Sequence, residues 1–218
     1  MPEEKGGFHW EFPEKSARVV AVCKLARASS AVVAAWELCD MGFLPEAASL
    51  LRMASDYSQE VLALGEGIRN GTLTTAQSRF VEDYFLPMPR TPEEFEKQER
   101  RSYIGREEHL KSEVRLIAES GQDAELTKRL RRFLNRGYDG YVHGDYPTAM
   151  QMYNGRAGQF DVTGDTENTS AISSTRSGVA GKLHELVVAF EFISIVLHLD
   201  DLSASVRAAR LTIEPFTT

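Results

Sequence analysis

The sequence predicts an all-α protein, a multi-helix bundle built as one domain. Apolar residues recur at intervals of three and four along most of the chain, the period of a helix with one buried face. No stretch alternates convincingly in the manner of a strand. Gly, Pro, Asn and Ser/Thr fall between the periodic runs, where helices start and stop. The chain has 218 residues, of which 42% are apolar and 26% charged. That is ordinary globular usage, long enough for one sizeable core and short for two.

Residues 1–13 are polar, hold Gly and Pro, and read as a flexible N-terminal arm ahead of a helical domain spanning 14–218. The pattern from Glu14 to Met41 is helical, with Gly42 as its stop. Pro45 suits the first turn of a second helix, which Asn70-Gly71 ends. Thr74 to Phe85 reads as a shorter helix. Thr91 as N-cap, Pro92, Glu93 and Glu94 then open a long charged helix running to Ser120. Another helix is expected from Asp123 to His143, resuming from Pro147 to Tyr153. Residues 154–178, rich in Gly, Ser and Thr, read as a long loop. Val179 to Asp201 is apolar nearly all round and reads as the central buried helix. A short helix from Ala204 to Leu211 closes the pattern.

The formal net charge is −7. A dedicated nucleic-acid binder is usually basic, so contact with RNA needs a local basic patch. The same charge disfavours docking on anionic membranes. Cys23 and Cys39 are too few for a disulfide framework and read as buried, reduced thiols. No Cys/His cluster has zinc spacing. His184, Glu191 and His198 recur every seven residues, too far apart along a helix to meet one ion. No metal and no cofactor is expected. The N-terminal residues lack the apolar run of a signal peptide, and Leu186 to Leu199 is too short and polar to span a bilayer. A cytoplasmic protein is therefore the expectation.

The most informative stretch runs from Phe133 to His143. Arg136 and His143 stand seven apart, two helical turns, with Asp139 between them. These types suit RNA cleavage. A histidine, with an ordinary pKa of about 6.5, can take a proton from a ribose hydroxyl or give one to a leaving oxygen. An arginine presents a planar fork to phosphate, and an aspartate can orient an imidazole. Lys128, Arg129, Arg131 and Arg132 add positive charge just upstream, a candidate RNA contact.

Arg136-x6-His143, late in an all-α pattern, resembles the Arg-x4-6-His signature of the HEPN superfamily, at its long end. Leu50-Leu-Arg52-x3-Asp56 on an early helix resembles helical families of unknown function related to it. The resemblance implies a HEPN-like bundle acting as a homodimer, with Arg136 and His143 as catalytic residues in a cleft shared by two subunits. It further implies a metal-independent endoribonuclease, or an RNA-binding component, of a toxin–antitoxin or defence system. The family position after Arg is often polar, whereas here it is Gly137.

The residues also admit plainer readings. Gly137 and Gly140 each disfavour a helix by about 1 kcal/mol relative to Ala, and a bend there would separate the pair. Arg136 and Asp139 could be a surface ion pair, His143 a favourable charge at a helix C-terminus, and Tyr138, Tyr141, Val142 and Tyr146 core. On that reading the chain is a non-catalytic helical module that binds a cognate protein partner. Glu191, among apolar neighbours, calls for a cationic partner; Arg52 is a candidate, although an Arg52–Asp56 pair is expected first.

Overall fold

A computed structural model describes residues 13–87, 89, 91–97, 104–121, 123–145, 149–152, 167 and 169–213. Among these residues lie eight α-helices: α1 (Ala17–Asp40), α2 (Leu44–Arg69), α3 (Thr75–Tyr84), α4 (Pro92–Lys97), α5 (Arg106–Glu119), α6 (Ala124–His143), α7 (Thr169–Val196) and α8 (Asp200–Ile213). A single 3-10 turn lies at Met150–Met152, and no strand occurs among the described residues. The all-α multi-helix bundle read from the sequence is the fold.

Local chemistry sets most boundaries. The Ser16 hydroxyl accepts from the Val19 amide, and Pro45 sits in the first turn of α2. Thr74 and Gln77 form a reciprocal capping box on α3. Asp123 caps α6 through the Leu126 amide, and Gly144 ends it in the left-handed region at φ 62°. Two expectations need correction. The charged helix expected from Thr91 to Ser120 is two helices, α4 and α5, with Gly105 as the N-cap of the second. Ile104, 2% exposed, is drawn into the core between them. The loop expected at 154–178 is helix from Thr169 onward; residues 154–166 and 168 lie outside the described ones, as do 1–12.

The packing centre also differs from expectation. It is α2, which touches α1, α3, α5, α6 and α7. Small residues let the axes approach: Ala21, Ala28 and Ala35 of α1 face Ala47 and Ala54 of α2, with Leu186, Ala189 and Ile193 of α7 closing the core. A second cluster joins α1, α2 and α3 through Val20, Leu64 and Phe80. On α7, Leu183 and Ile195 are exposed, so its apolar circumference is only partly covered. Among the described residues α1, not Leu186 to Leu199, is the helix long and apolar enough to cross a membrane by length and composition. Cys39 is buried, and Cys23 is only half-buried.

The polar residues of α2 clip it to its neighbours. Arg115 of α5 donates to both Glu66 oxygens at 2.6 and 2.7 Å. Lys182 of α7 donates to Ser55 Oγ at 3.1 Å. Arg52 reaches α6.

Candidate functional site

Helix α6 runs unbroken through Gly137 and Gly140, so Arg136 and His143 do lie on one face. Both are exposed, and neither makes a hydrogen bond or ion pair among the described residues. Arg129, one further heptad back, is also exposed and unpaired in the same sense. Arg129, Arg136 and His143 thus form a cationic or titratable stripe along the helix.

Beside that stripe is an apolar one. Leu126, Leu130, Phe133 and Leu134 are 43%, 51%, 75% and 38% exposed. Their spacing puts them on the solvent side, and Gly140 is the only buried residue of the helix. The inward face is polar instead, with Tyr138 as its main core contact. Val142 is exposed and Tyr141 half-buried, so the aromatic run packs the core less than the plain reading expects. Tyr146 lies outside the described residues.

Asp139 does not orient His143. Arg106 of α5 donates to its two oxygens at 2.7 and 2.9 Å, and Arg52 Nε donates at 3.1 Å. Burial works to raise the Asp139 carboxyl, and these two guanidiniums overcome it, holding it below the usual range. Arg52, 3% exposed, also pairs with Asp56 one turn along α2. Asp139 therefore fastens α6 to α2 and α5. The partner of Glu191 is likewise not Arg52: Arg207 and Arg210 of α8 hold it, at 2.9 and 2.8 Å.

The basic run is largely neutralised. Arg131 is sunk between Glu113 of α5 and Glu185 of α7. Arg132 pairs with Glu107 at 3.0 Å, and Lys128 with Glu125 at 3.4 Å. Of the four residues expected to contact RNA, only Arg129 stays uncommitted among the described residues. Acids contributed by other helices were invisible within the run itself.

The sequence also gave no prominence to His109. It is 5% exposed, and its Nε2 finds no hydrogen-bond partner among the described residues. It lines a cavity of about 330 Å³ with Asp56, Tyr57, Glu60 and Arg106. Burial, followed by the positive charges of Lys24 and Arg52, pushes its pKa down to about 4, so the imidazole is neutral at pH 7. Lys24 reaches Glu60 at 2.6 Å and lies 4.8 Å from the Tyr57 ring centroid. Burial raises the Glu60 carboxyl, against the pull of Lys24. His184 and His198 lie on and just beyond α7, and no group of three His, Cys, Asp or Glu among the described residues could hold a metal ion.

Compared with protein-family models, with curated proteins and with solved structures, the chain matches none of them.

Proposed function

We propose that the protein is a HEPN-like homodimer that handles single-stranded RNA on the outer face of α6. The observation that supports this most is the composition of that face. An exposed aromatic ring, Phe133, is flanked by the unpaired Arg129 and Arg136, with His143 further along. Single-stranded nucleic acid is held by stacking of bases on aromatic rings and by guanidiniums on phosphates. A net charge of −7 matters little where the contact is this local.

In this reading Leu126, Leu130 and Leu134 seat the second copy, whose own α6 completes the cleft. Arg136 holds a phosphate and stabilises charge developing on it, and His143 moves the proton between ribose hydroxyl and leaving oxygen. Asp139 is a positioning residue, holding α6 through Arg52 and Arg106. Arg131, Arg132 and Lys128 are structural. A toxin–antitoxin or defence setting goes with the HEPN resemblance alone.

A second reading draws on the same leucines: a non-catalytic module whose α6 face receives a cognate protein. The two are separated by anisotropy with a labelled single-stranded RNA, gel analysis of its cleavage, and sedimentation of the protein. Wild type should bind RNA, sediment as a dimer and cleave. Phe133→Ala and Arg136→Ala should each weaken RNA binding by about ten-fold or more, a stacking or charge-assisted contact of 1–3 kcal/mol. His143→Ala should abolish cleavage with binding retained. RNA binding absent from wild type, or unchanged in both Phe133→Ala and Arg136→Ala, would refute the RNA reading and leave the protein-binding module.

A further inference from the structure

A cavity of about 660 Å³ lies among α2, α5, α6 and α7, on the inner side of α6, away from the face just described. Its size is that of a small-molecule pocket. Leu62, Leu116, Val188 and Phe192 give it apolar walls. The charges of its lining are paired. Arg131 is held by Glu113 and Glu185, Arg69 by Glu119 at 2.8 Å, and Arg210 by Glu191.

Two further side chains of the lining, Gln59 and His184, carry a buried nitrogen that the rest of the lining does not meet. Gln59 is 4% exposed, and its amide Nε2 has no hydrogen-bond partner among the described residues. The His184 Nε2 has none either. Buried donors and acceptors are almost always satisfied, so two unmet groups on one cavity ask for a ligand that meets them. The cationic and anionic side chains of the lining are ion-paired, so an ionic ligand would bring an uncompensated charge into the cavity.

We infer that this cavity binds a neutral amphipathic small molecule, an aromatic or aliphatic body ending in an amide or carbonyl group. The apolar part lies against Leu62, Val188 and Phe192, and the polar end satisfies Gln59 and His184. This inference is independent of the RNA reading, because none of these residues belongs to the outer stripe of α6.

The test uses the full chain and three probes that share a phenylethyl body: 3-phenylpropanamide, 3-phenylpropanoate and 3-phenylpropylammonium. Ligand-observed NMR and calorimetry read their affinities. The neutral amide is expected to bind at least about ten-fold more tightly than either ion. Gln59→Leu should weaken the amide by about ten-fold while leaving the unfolding midpoint equal or higher, since it removes an unmet buried donor. Val188→Trp fills the chamber and should abolish binding. If it fails to fold, Gln59→Leu alone decides the matter. Absence of amide binding to folded wild type, tighter binding of either ion, or amide affinity unchanged by Gln59→Leu would overturn the inference.

Discussion

His109 offers the most exacting test of the packing around α2 and α5. Its imidazole is enclosed, unpartnered among the described residues, and held neutral first by burial and then by Lys24 and Arg52. The folded pKa is pushed from the ordinary 6.5 down to about 4. A depressed base binds its proton more readily in the unfolded chain. Stability is therefore fully present above pH 6.5 and drains away as the pH falls toward 4. Integrating over the interval from pH 7.5 to 4.5, this one residue removes about 2.5 kcal/mol. His109→Leu keeps the packing volume and deletes the titration. Urea unfolding followed by circular dichroism at half-unit pH steps should give two curves that converge or cross on acidification. The variant should gain about 2.5 kcal/mol relative to wild type between pH 7.5 and 4.5. The carboxylates held low by cations, Asp139, Glu66 and Glu185, lose their contribution only below the ordinary carboxylate range, and equally in both proteins. Curves that stay parallel within about 0.5 kcal/mol would refute the enclosed, neutral imidazole.

Two further predictions concern the inner face of α6. Arg131 is the partner of Glu113, which is 5% exposed, whereas Glu185 keeps Lys182 at 2.8 Å. Arg131→Met should therefore lower stability by about 3–5 kcal/mol, and Arg131→Met with Glu113→Gln should recover most of it in a thermal or urea double-mutant cycle. An Arg131→Met protein that unfolds like wild type but has lost RNA binding would return Arg131 to the surface role its sequence suggests. Asp139→Asn should cost about 1–3 kcal/mol, because Arg106 and Arg52 lose a charged acceptor. The His143 ring-proton NMR signals should stay in place, and their displacement would restore Asp139 as the group that orients the imidazole.

The elements legible in the sequence are those whose boundaries are local. Pro45, Thr74, Asp123 and Gly144 act through hydrogen bonds or backbone angles within four residues of themselves. What the sequence misassigned depended on distant partners. Ser/Thr richness made 169–178 look like loop, yet Ile172 is 8% exposed and its carbonyl accepts from Cys39 Sγ, so packing on α1 overrides weak propensity. The Arg-rich run at 128–132 looked like a binding patch, because the acids that neutralise Arg131 and Arg132 stand 18 to 54 residues away. The choice of central helix failed for a related reason. Apolarity favoured α7, whereas α2 carries buried Arg52, Ser55 and Glu66 that its neighbours satisfy. A helix can be central because its buried charges are met, which no count of apolar residues reveals.

Helix α6 turns the usual arrangement inside out, and this bears on function more than any single residue. An amphipathic helix in a monomer buries its leucines and gives its charges to water. Here the charges of Arg131 and Asp139 point to acids and arginines on α2, α5 and α7, while Leu126, Leu130 and Phe133 face solvent. The inner ion pairs fix the orientation of the helix, since rotating it to bury the leucines would leave Glu113 and Arg52 without part of their compensation. The exposed stripe is thus held outward by the electrostatics of the interior rather than left over by poor packing. A persistent apolar strip beside unpaired arginines has a cost in water that contact with a second copy and with nucleobases would relieve. Phe133→Asp separates monomer stability from what the strip binds. It should leave the unfolding free energy of the monomer within about 0.5 kcal/mol, because the ring is 75% exposed. It should also abolish both dimer and RNA binding. A large loss of monomer stability would mean that the ring is covered by the chain itself, and the outward orientation of α6 would then carry no functional meaning.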